Sequence, residues 1–587
     1  MTAIEKLIVV SVLLLVLFLL STSRYPTAYA FALGVSLLTL AGILTPPEAL
    51  SGFSNPQVAT LGLLLVVAGV LHKTKAVDLL LSKVLKPDLS YKSFLSRLLL
   101  LTSVLSAFLN NTPVVASLIP YVHSWTKKKG VPLSKVLIPL SYAAILGGTV
   151  TLIGTSTNLI AAGLYEAQTG QSLHLLDFTP VGLAAASLGL LYLTFVAPKL
   201  LPSRSEPLQS LLTKTKEYLV ETVVLPSSEI IGKSVREANL RNLKGLYLVE
   251  IIRRGKTIAP VSPEEVIRKG DVLVFAGNTA AALDLINNFK GLALPRSCRI
   301  PLEQTDIVEV LIPPGSDLIG KTIKEVNFRS RFDAAVIGIH RQGEKIKGKI
   351  GEQVLKPGDL LLVLTGKDFY KKVADSKDLY LISKVGNWFN FPLSKALLSL
   401  GTFAGGVAAA AAGFLNLFNA MLLVVLLFLI FRLTTPYEVR RSLDLNLLFT
   451  AALSLALGTA VVKVGLSEDL ALFALGALSD VGPLGILAGL YALTALLTEI
   501  ITNIGAVAIA FSVAVELSEL TGFSLKGLTL LVAYAASASF LIPTGYQTNL
   551  LVHSLGGYKL QDFIKVGLPL SLIYGTVTVL GIYLLYA

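Results

Sequence analysis

Charged residues are scarce in this 587-residue chain: Asp, Glu, Lys and Arg make up 15% of it, against 53% hydrophobic residues and a mean hydropathy of +0.72. So apolar a composition excludes an ordinary soluble domain and points to a polytopic α-helical membrane protein. Cysteine is nearly absent. The single thiol, Cys298, excludes an intramolecular disulfide and suits a reducing, cytoplasmic setting for the segment around it. His72, His123, His174, His340 and His553 lack the spacing of a metal site, and no nucleophile falls beside a base, so no enzyme is expected. Neither Gly-x-Gly-x-x-Gly nor a phosphate-binding lysine loop occurs, which argues against an organic cofactor and against ATP-driven pumping. A Thr-Val-Gly-Tyr-Gly filter is also missing, which ranks a ligand-gated ion channel low. The formal net charge of +13 does not point to a nucleic-acid partner here; in so apolar a chain the basic residues report which loops face the cytoplasm.

The apolar stretches form two blocks, 1–200 and 390–587, around a polar middle. The first stretch, 7–20, has only Lys6 before it and no small-residue cleavage site behind it, so it reads as a retained span. Lys73, Lys75, Lys83, Lys86 and Lys92 follow a span at 57–71, while Lys127, Lys128, Lys129 and Lys135 follow a segment at 98–123. Both clusters are expected in the cytoplasm, and a segment with both ends on one side does not cross. Two arms of about 12 to 14 residues, each too short for a core of about 30 Å, make 98–123 a re-entrant hairpin with Asn110, Asn111 and Thr112 at its tip. Thr112 followed by Pro113 predicts an N-cap and first helical position there. A span at 136–163, broken near Gly154, leads to an external loop at 164–178 without Lys or Arg, and a span at 179–198 returns. The second block repeats the scheme with spans at 392–412, 417–433 and 445–462, a hairpin at 483–515, a broken span at 527–553 and a last span at 564–586. The expected fold is two inverted repeats, each of five spans and one re-entrant hairpin. Both termini would lie outside a cell membrane, and the 200–390 insert in the cytoplasm.

Two polar interruptions carry the duplication. Ser-Ala-Phe-Leu-Asn-Asn-Thr at 106–112 and Gly154-Thr155-Ser156-Thr157-Asn158 return as Thr-Glu-Ile-Ile-Thr-Asn-Ile at 498–504 and Pro543-Thr544-Gly545-Tyr546-Gln547-Thr548-Asn549. Asn111 lies 392 residues before Asn503, and Asn158 lies 391 before Asn549. Asp177-Phe178 with Gly182 also returns, as Asp562-Phe563 with Gly567. Uncharged hydrogen-bonding residues and helix breaks at membrane depth belong where backbone lines a cavity, as at a transporter's binding site. Glu499 is the notable ionisable residue at hairpin depth, either a coupling carboxylate that supports a cation or accepts a proton, or a carboxylate hydrogen-bonded to backbone or snorkelling outward.

The middle is duplicated as well. Glu221 to Gly277 and Glu309 to Thr365 align at a constant offset of 88, giving two small cytoplasmic α/β domains at 215–291 and 302–375. Each reads as strands with one short helix, placed around 234–240 in the first copy. These units resemble domains that bind small ligands, and that resemblance makes Arg236, Asn239, Arg253, Arg254, Asn327, Arg329, His340 and Arg341 candidate contacts for an anionic small-molecule or nucleotide regulator, against their being solvated surface residues.

The paired Asn-Thr hairpin tips and broken spans, separated by duplicated cytoplasmic modules, resemble the divalent anion:sodium symporter family, in its branch with two inserted regulator-of-potassium-conductance C-terminal (RCK-C, or TrkA-C) domains, to which sulfate permeases belong. The resemblance covers nearly the whole chain. It implies a homodimer that moves a small divalent anion by an elevator motion, with Na+ as coupling ion. Carried over by position, Ser106, Asn110, Asn111 and Gly154 would form one sodium site, and Thr498, Thr502, Asn503, Pro543 and Thr544 the other. Asn111, Thr112, Ser156, Thr157, Asn158, Asn503, Tyr546, Gln547, Thr548 and Asn549 would hold the anion. The Pro-Pro of carboxylate-transporting members is Ser156-Thr157 and Gln547-Thr548 here, which favours a compact oxyanion such as sulfate over a dicarboxylate. A membrane anion sensor would share the same plan.

Overall fold

The computed structural model describes the chain except for residues 1–2, 22–25, 87, 204–217, 241–245, 254–255, 259–260, 278–291, 294–306, 314–315, 342–343, 347–349, 367, 375, 377, 382–392, 479–481 and 587; Arg254 and Cys298 lie outside the described residues. The first block folds as α1 (Ala3–Ser21), α2 (Thr27–Leu40), α3 (Pro46–Leu50), α4 (Pro56–Lys73), α5 (Ala76–Val84), α6 (Tyr91–Ser106), α7 (Asn111–Lys129), α8 (Leu137–Gly148), α9 (Ser156–Thr169) and α10 (Thr179–Phe195). The second follows in the same order with α11 (Leu393–Ala411), α12 (Leu417–Ile430), α13 (Pro436–Ser442), α14 (Leu445–Lys463), α15 (Leu466–Leu478), α16 (Pro483–Ile500), α17 (Asn503–Thr521), α18 (Leu525–Ser537), α19 (Gln547–Gly556) and α20 (Leu560–Tyr586).

Seven segments among the described residues are long and apolar enough to cross a membrane, fewer than the ten spans expected from sequence. The difference has a geometric cause. Apolar helices α2, α10, α12 and α18 stop at 14, 17, 14 and 13 residues, about 20 to 26 Å at the rise of an α-helix. The hairpin arms differ in the opposite sense. α6 and α7 run for 16 and 19 residues, beyond the 98–123 limits, because α6 begins after Ser90 and α7 continues through Lys127–Lys129 to a left-handed Gly130. Length by itself therefore does not make this hairpin re-entrant. Nor is Thr112 the N-cap: α7 starts at Asn111, and Asn110 Oδ1 accepts from the Thr112 backbone N–H at 3.4 Å.

The halves exchange equivalent contacts. Tyr142 of α8 packs on the Phe563 ring as Tyr534 of α18 packs on that of Phe178, although their hydroxyls donate to non-equivalent carbonyl oxygens, of Phe540 and Phe178. Glu48 of α3 pairs with Lys463 at the end of α14 at 2.7 Å, and Glu438 of α13 pairs with Lys73 at the end of α4 at 2.6 Å. In each case the carboxylate also closes a capping box, accepting from Thr45 N or Thr435 N. The recurring glycines of the Asp-Phe motif explain themselves here. A Cβ on Gly182 would lie 2.5 Å from the Thr149 carbonyl oxygen, and one on Gly567 2.1 Å from that of Phe540, so α10 and α20 each press on the backbone of a helix break.

Between the blocks lie two five-stranded antiparallel sheets. The first contains β1 (Tyr218–Val224), β2 (Leu246–Arg253), β3 (Lys256–Ile258), β4 (Val272–Gly277) and β5 (Leu292–Ala293), in the order β3-β2-β4-β1-β5. The second contains β6 (Ile307–Leu311), β7 (Ala334–Arg341), β8 (Glu344–Lys345), β9 (Leu360–Thr365) and β10 (Tyr380–Leu381), in the equivalent order β10-β6-β9-β7-β8. Residues 234–240 form turns rather than the expected helix. A single i to i+4 bond, Ala238 N to Ser234 O, is cut off by Asn239, whose φ of 56° is left-handed. Asn327 holds the same conformation at φ 49°. Arg253 and Arg341 are likewise not free for a ligand. Each makes a two-pronged ion pair with a buried carboxylate, Asp271 or Asp359, that ties strands together.

Candidate functional site

The first hairpin and the first broken span meet at a cluster of oxygen atoms. α6 ends at Ser106, α7 begins at Asn111, and α8 and α9 are interrupted over 149–155. Ser106 Oγ, Asn111 Oδ1 and Asn158 Oδ1 are buried side-chain acceptors without a hydrogen-bond partner. The three residues border the same break. A Cβ on Gly148 would lie 2.8 Å from Asn111 Oδ1, and one on Gly154 would lie 2.4 Å from the Gly148 carbonyl oxygen and 2.8 Å from that of Ser106. Asn158 is aimed at the same turn, since its Nδ2 donates to the Gly148 and Thr151 carbonyl oxygens at 3.3 and 2.8 Å. A buried polar atom left unpaired costs about 1–3 kcal/mol. Three of them, beside the Ser106 and Gly148 carbonyl oxygens, are the ligand type that a hard cation such as Na+ takes.

The second hairpin is arranged differently. Thr498 Oγ1 lies 2.6 Å from the Ala536 carbonyl oxygen and 3.0 Å from Asn503 Oδ1, and Asn549 Oδ1 accepts from Ser141 at 2.7 Å. Thr548 Oγ1 also contacts Ser141, at 2.8 Å. Thr548 and Asn549 thus join α19 to α8 instead of facing the tips. Unpartnered here are Ser537 Oγ and Ser539 Oγ. Glu499 grips the second break, accepting from the Leu541 and Ile542 backbone N–H groups at 2.9 and 3.2 Å. Gly545 is pressed against it, for a Cβ there would lie 2.8 Å from Glu499 Oε2 and 2.5 Å from Ser539 Oγ. Asn110 and Thr502, candidates for sodium ligation, act instead as N-caps, their side-chain oxygens accepting from Thr112 N and Gly505 N. Pro543 and Thr544 lie in the 3-10 turn Pro543–Gly545.

Between the two clusters, helix N-termini meet. α9 and α19 begin after Thr155 and Tyr546, neither of which caps its own helix with its side chain. The two hydroxyls are 3.2 Å apart. The tip of α7 reaches the same place: Asn111 Nδ2 donates to the Tyr546 hydroxyl oxygen at 2.7 Å, and Thr112 Oγ1 donates to Gln547 Oε1 at 3.1 Å. Thr157 Oγ1 lies 3.3 Å from Thr155 Oγ1. A small cleft, lined among others by Leu61, Leu64 and Leu65 of α4 with Asn110, Gly154, Thr155 and Ser156, reaches this junction at Thr155. No Lys or Arg occurs in 106–112, 149–158, 498–504 or 538–549. Positive potential there comes from the N–H groups of α9 and α19, which no side chain caps, and from the dipole ends of these helices and α7.

The model of the citrate transporter family matches residues 8–525. The chain belongs to this family. It is a multi-pass membrane transporter and not an enzyme, and the resemblance to anion symporters read from its hairpin tips is met at this level. Among its relatives, an uncharacterized transporter of Synechocystis sp. is 32% identical over 98% of this chain and 96% of its own length. The sodium/sulfate cotransporter 1 of Chlamydomonas reinhardtii is 33% identical over 55% of this chain and 39% of its own length. Among solved structures, the YdaH transporter of Alcanivorax borkumensis is similar at 15% identity and a TM-score of 0.37, covering 99% of this chain and 98% of that one. Sequence reasoning missed Ser141, Gly148, Thr155, Ser537 and Ser539. It also missed the ion pairs Glu48–Lys463 and Glu438–Lys73, although both partners recur at an offset of 390.

Proposed function

We propose that this citrate-family transporter is a secondary symporter that carries a compact divalent oxyanion, sulfate first, coupled to Na+. The observation that carries this reading is the convergence of the N-termini of α7, α9 and α19 around Tyr546 beside a cluster of unpartnered buried oxygens. Helix N-termini with hydroxyl and amide donors bind a tetrahedral dianion without a fixed arginine. Ser106, Asn111, Asn158 and the carbonyl oxygens of Gly148 and Ser106 hold one Na+. Thr498, Asn503, Ser539 and the turn at 543–545 hold a second, weaker one, with Glu499 nearby. Asn110 and Thr502 support both sites as caps. Thr112, Thr155, Ser156, Thr157, Tyr546 and Gln547 face the anion.

Coupling follows from Asn111. Its Oδ1 belongs to the cation cluster, while its Nδ2 contacts Tyr546 at the anion seat, so a bound cation orients the amide that helps receive the anion. The sodium/sulfate name of the C. reinhardtii relative supports the choice of ions. In this reading the two halves are inverted repeats, both hairpins are re-entrant, and hairpins and broken spans move together as an elevator against α1–α4 and α11–α14. The chain acts as a homodimer with the insert on the cytoplasmic side, where a small ligand gates transport. A carboxylate substrate is the second reading, favoured by the family's description.

The test is uptake of labelled sulfate into proteoliposomes at fixed pH and potential. Uptake that requires an inward Na+ gradient is expected. Sulfate uptake indifferent to Na+ refutes the coupling, and saturable sulfate binding without any uptake makes the chain a sensor.

A further inference from the structure

Positions 155 and 546 are equivalent in the two halves, separated by the same 391 residues as Asn158 and Asn549. Their backbones match too. Thr155 has φ −143° and ψ 149°, Tyr546 has φ −138° and ψ 140°, and each stands as the N-cap of the helix leaving its break. Only the side chains differ, and they differ at the point where the halves touch, with the two hydroxyls 3.2 Å apart. One half therefore presents a threonine to the centre of the junction, and the other presents a phenol ring.

We propose that Tyr546 sets the substrate class. Resting on the anion-transport reading above, the inference is that the ring fills the half of the seat which a second threonine would leave open, so that a compact tetrahedral dianion fits and an extended dicarboxylate does not. The hydrogen bonds support a donor role beside the steric one. Asn111 Nδ2 already donates to the phenol oxygen at 2.7 Å, which leaves the phenol's own proton to be given away, to Thr155 in the anion-free state or to the anion when it binds. Thr112 and Gln547, bonded at 3.1 Å, close the neighbouring side of the seat. The remaining donors belong to short side chains and to helix N-termini, which neither reach far nor discriminate by length.

Full-length protein in proteoliposomes with Na+ outside and none inside tests this with two probes, sulfate and succinate. Wild type is expected to take up sulfate with little competition from succinate. Tyr546→Thr, which makes the halves alike, is expected to shift the sulfate-over-succinate preference by about tenfold or more toward succinate. Tyr546→Phe keeps the ring and removes the proton; it is expected to exclude succinate still, while weakening sulfate by roughly tenfold, the size of one hydrogen bond to a charged group. An unchanged preference in Tyr546→Thr overturns the proposal, provided the variant retains its Na+-dependent thermal stabilisation. If that variant fails to fold, succinate uptake by Tyr546→Phe equal to its sulfate uptake overturns it as well. A wild type that takes up no tetrahedral dianion defeats the transport reading itself, a different outcome from either of these.

Discussion

The two halves of the membrane part place equivalent residues at equivalent breaks and then bond them differently. In the first half, Ser106, Asn111 and Asn158 each leave a buried oxygen unpartnered around one break. In the second, their counterparts are engaged, Thr498 with Asn503 and Ala536, and Asn549 with Ser141. Where the first half has Ala107 the second has Glu499, which holds the broken backbone at Leu541 and Ile542. Duplication thus supplied two frames, and substitution within them made one poised for a cation and one organised around its own bonds. A cation entering the second cluster must first displace hydrogen bonds worth about 0.5–1.5 kcal/mol each. On the proposed Na+-coupled reading the first site is accordingly the tighter of the two.

That difference can be broken most severely at Asn111. Asn111→Ala is expected to abolish Na+-dependent stabilisation and to reduce uptake by about 100-fold or more, as both the cation cluster and the contact to Tyr546 are lost. Asn503→Ala should cost uptake but leave part of the stabilisation by Na+, measured as the shift in melting temperature. Equal losses from the two variants would remove the asymmetry. Next comes Gly147→Ala, where a Cβ would lie 2.2 Å from the Ser103 carbonyl oxygen. Overpacking of this kind costs about 1–3 kcal/mol or more, whereas Ala538, one residue before Ser539 as Gly147 is before Gly148, already carries the methyl group. Ala538→Gly should therefore change the melting temperature far less than Gly147→Ala.

Glu499→Gln tests the organised half. Its amide offers one acceptor for two backbone N–H groups, and the expected loss of stability is about 1–3 kcal/mol. The substitution Ala107→Gln in the first half introduces no such grip, so any gain in stability there would contradict the assigned role. The smallest effect belongs to the exchanged ion pairs. Lys463→Ala and Lys73→Ala should each cost up to about 1 kcal/mol, the range for partly exposed pairs, and by about the same amount. The charge-swapped pair Glu48→Lys with Lys463→Glu should recover part of it; thermal unfolding with and without salt measures both. His174, exposed on the loop after α9, serves as the control whose replacement leaves uptake unchanged.

Much of this was legible in the residues because a duplication declares itself by offset. The break near Gly154, the hairpin tips at Asn111 and Asn503, and the strands around Gly270-Asp271 were all placed by repetition. Turn and cap chemistry was harder to read. Thr112-Pro113 carries a familiar helix start, yet Asn110 takes the cap, because an asparagine two residues earlier offers its own acceptor to the Thr112 N–H. The segment 234–240 has helix-forming residues, but Asn239 turns left-handed and stops a helix from forming there. Arg253 and Arg341 looked like anion contacts on charge alone. Nothing local shows that Asp271 and Asp359, 18 residues further on, will be folded against them.

The amino-acid sequence by itself determined the class of this protein: long apolar runs and helix breaks with uncharged polar residues, given twice, leave a helical membrane transporter as the outcome, since lipid tolerates unsatisfied backbone only around a cavity. Which equivalent side chains stay open and which bond each other was decided by tertiary structure alone. Hydrogen-bond partners such as Asn111 and Tyr546, or Ser141 and Asn549, stand more than 400 residues apart. Their meeting depends on how two halves pack, which no local pattern records.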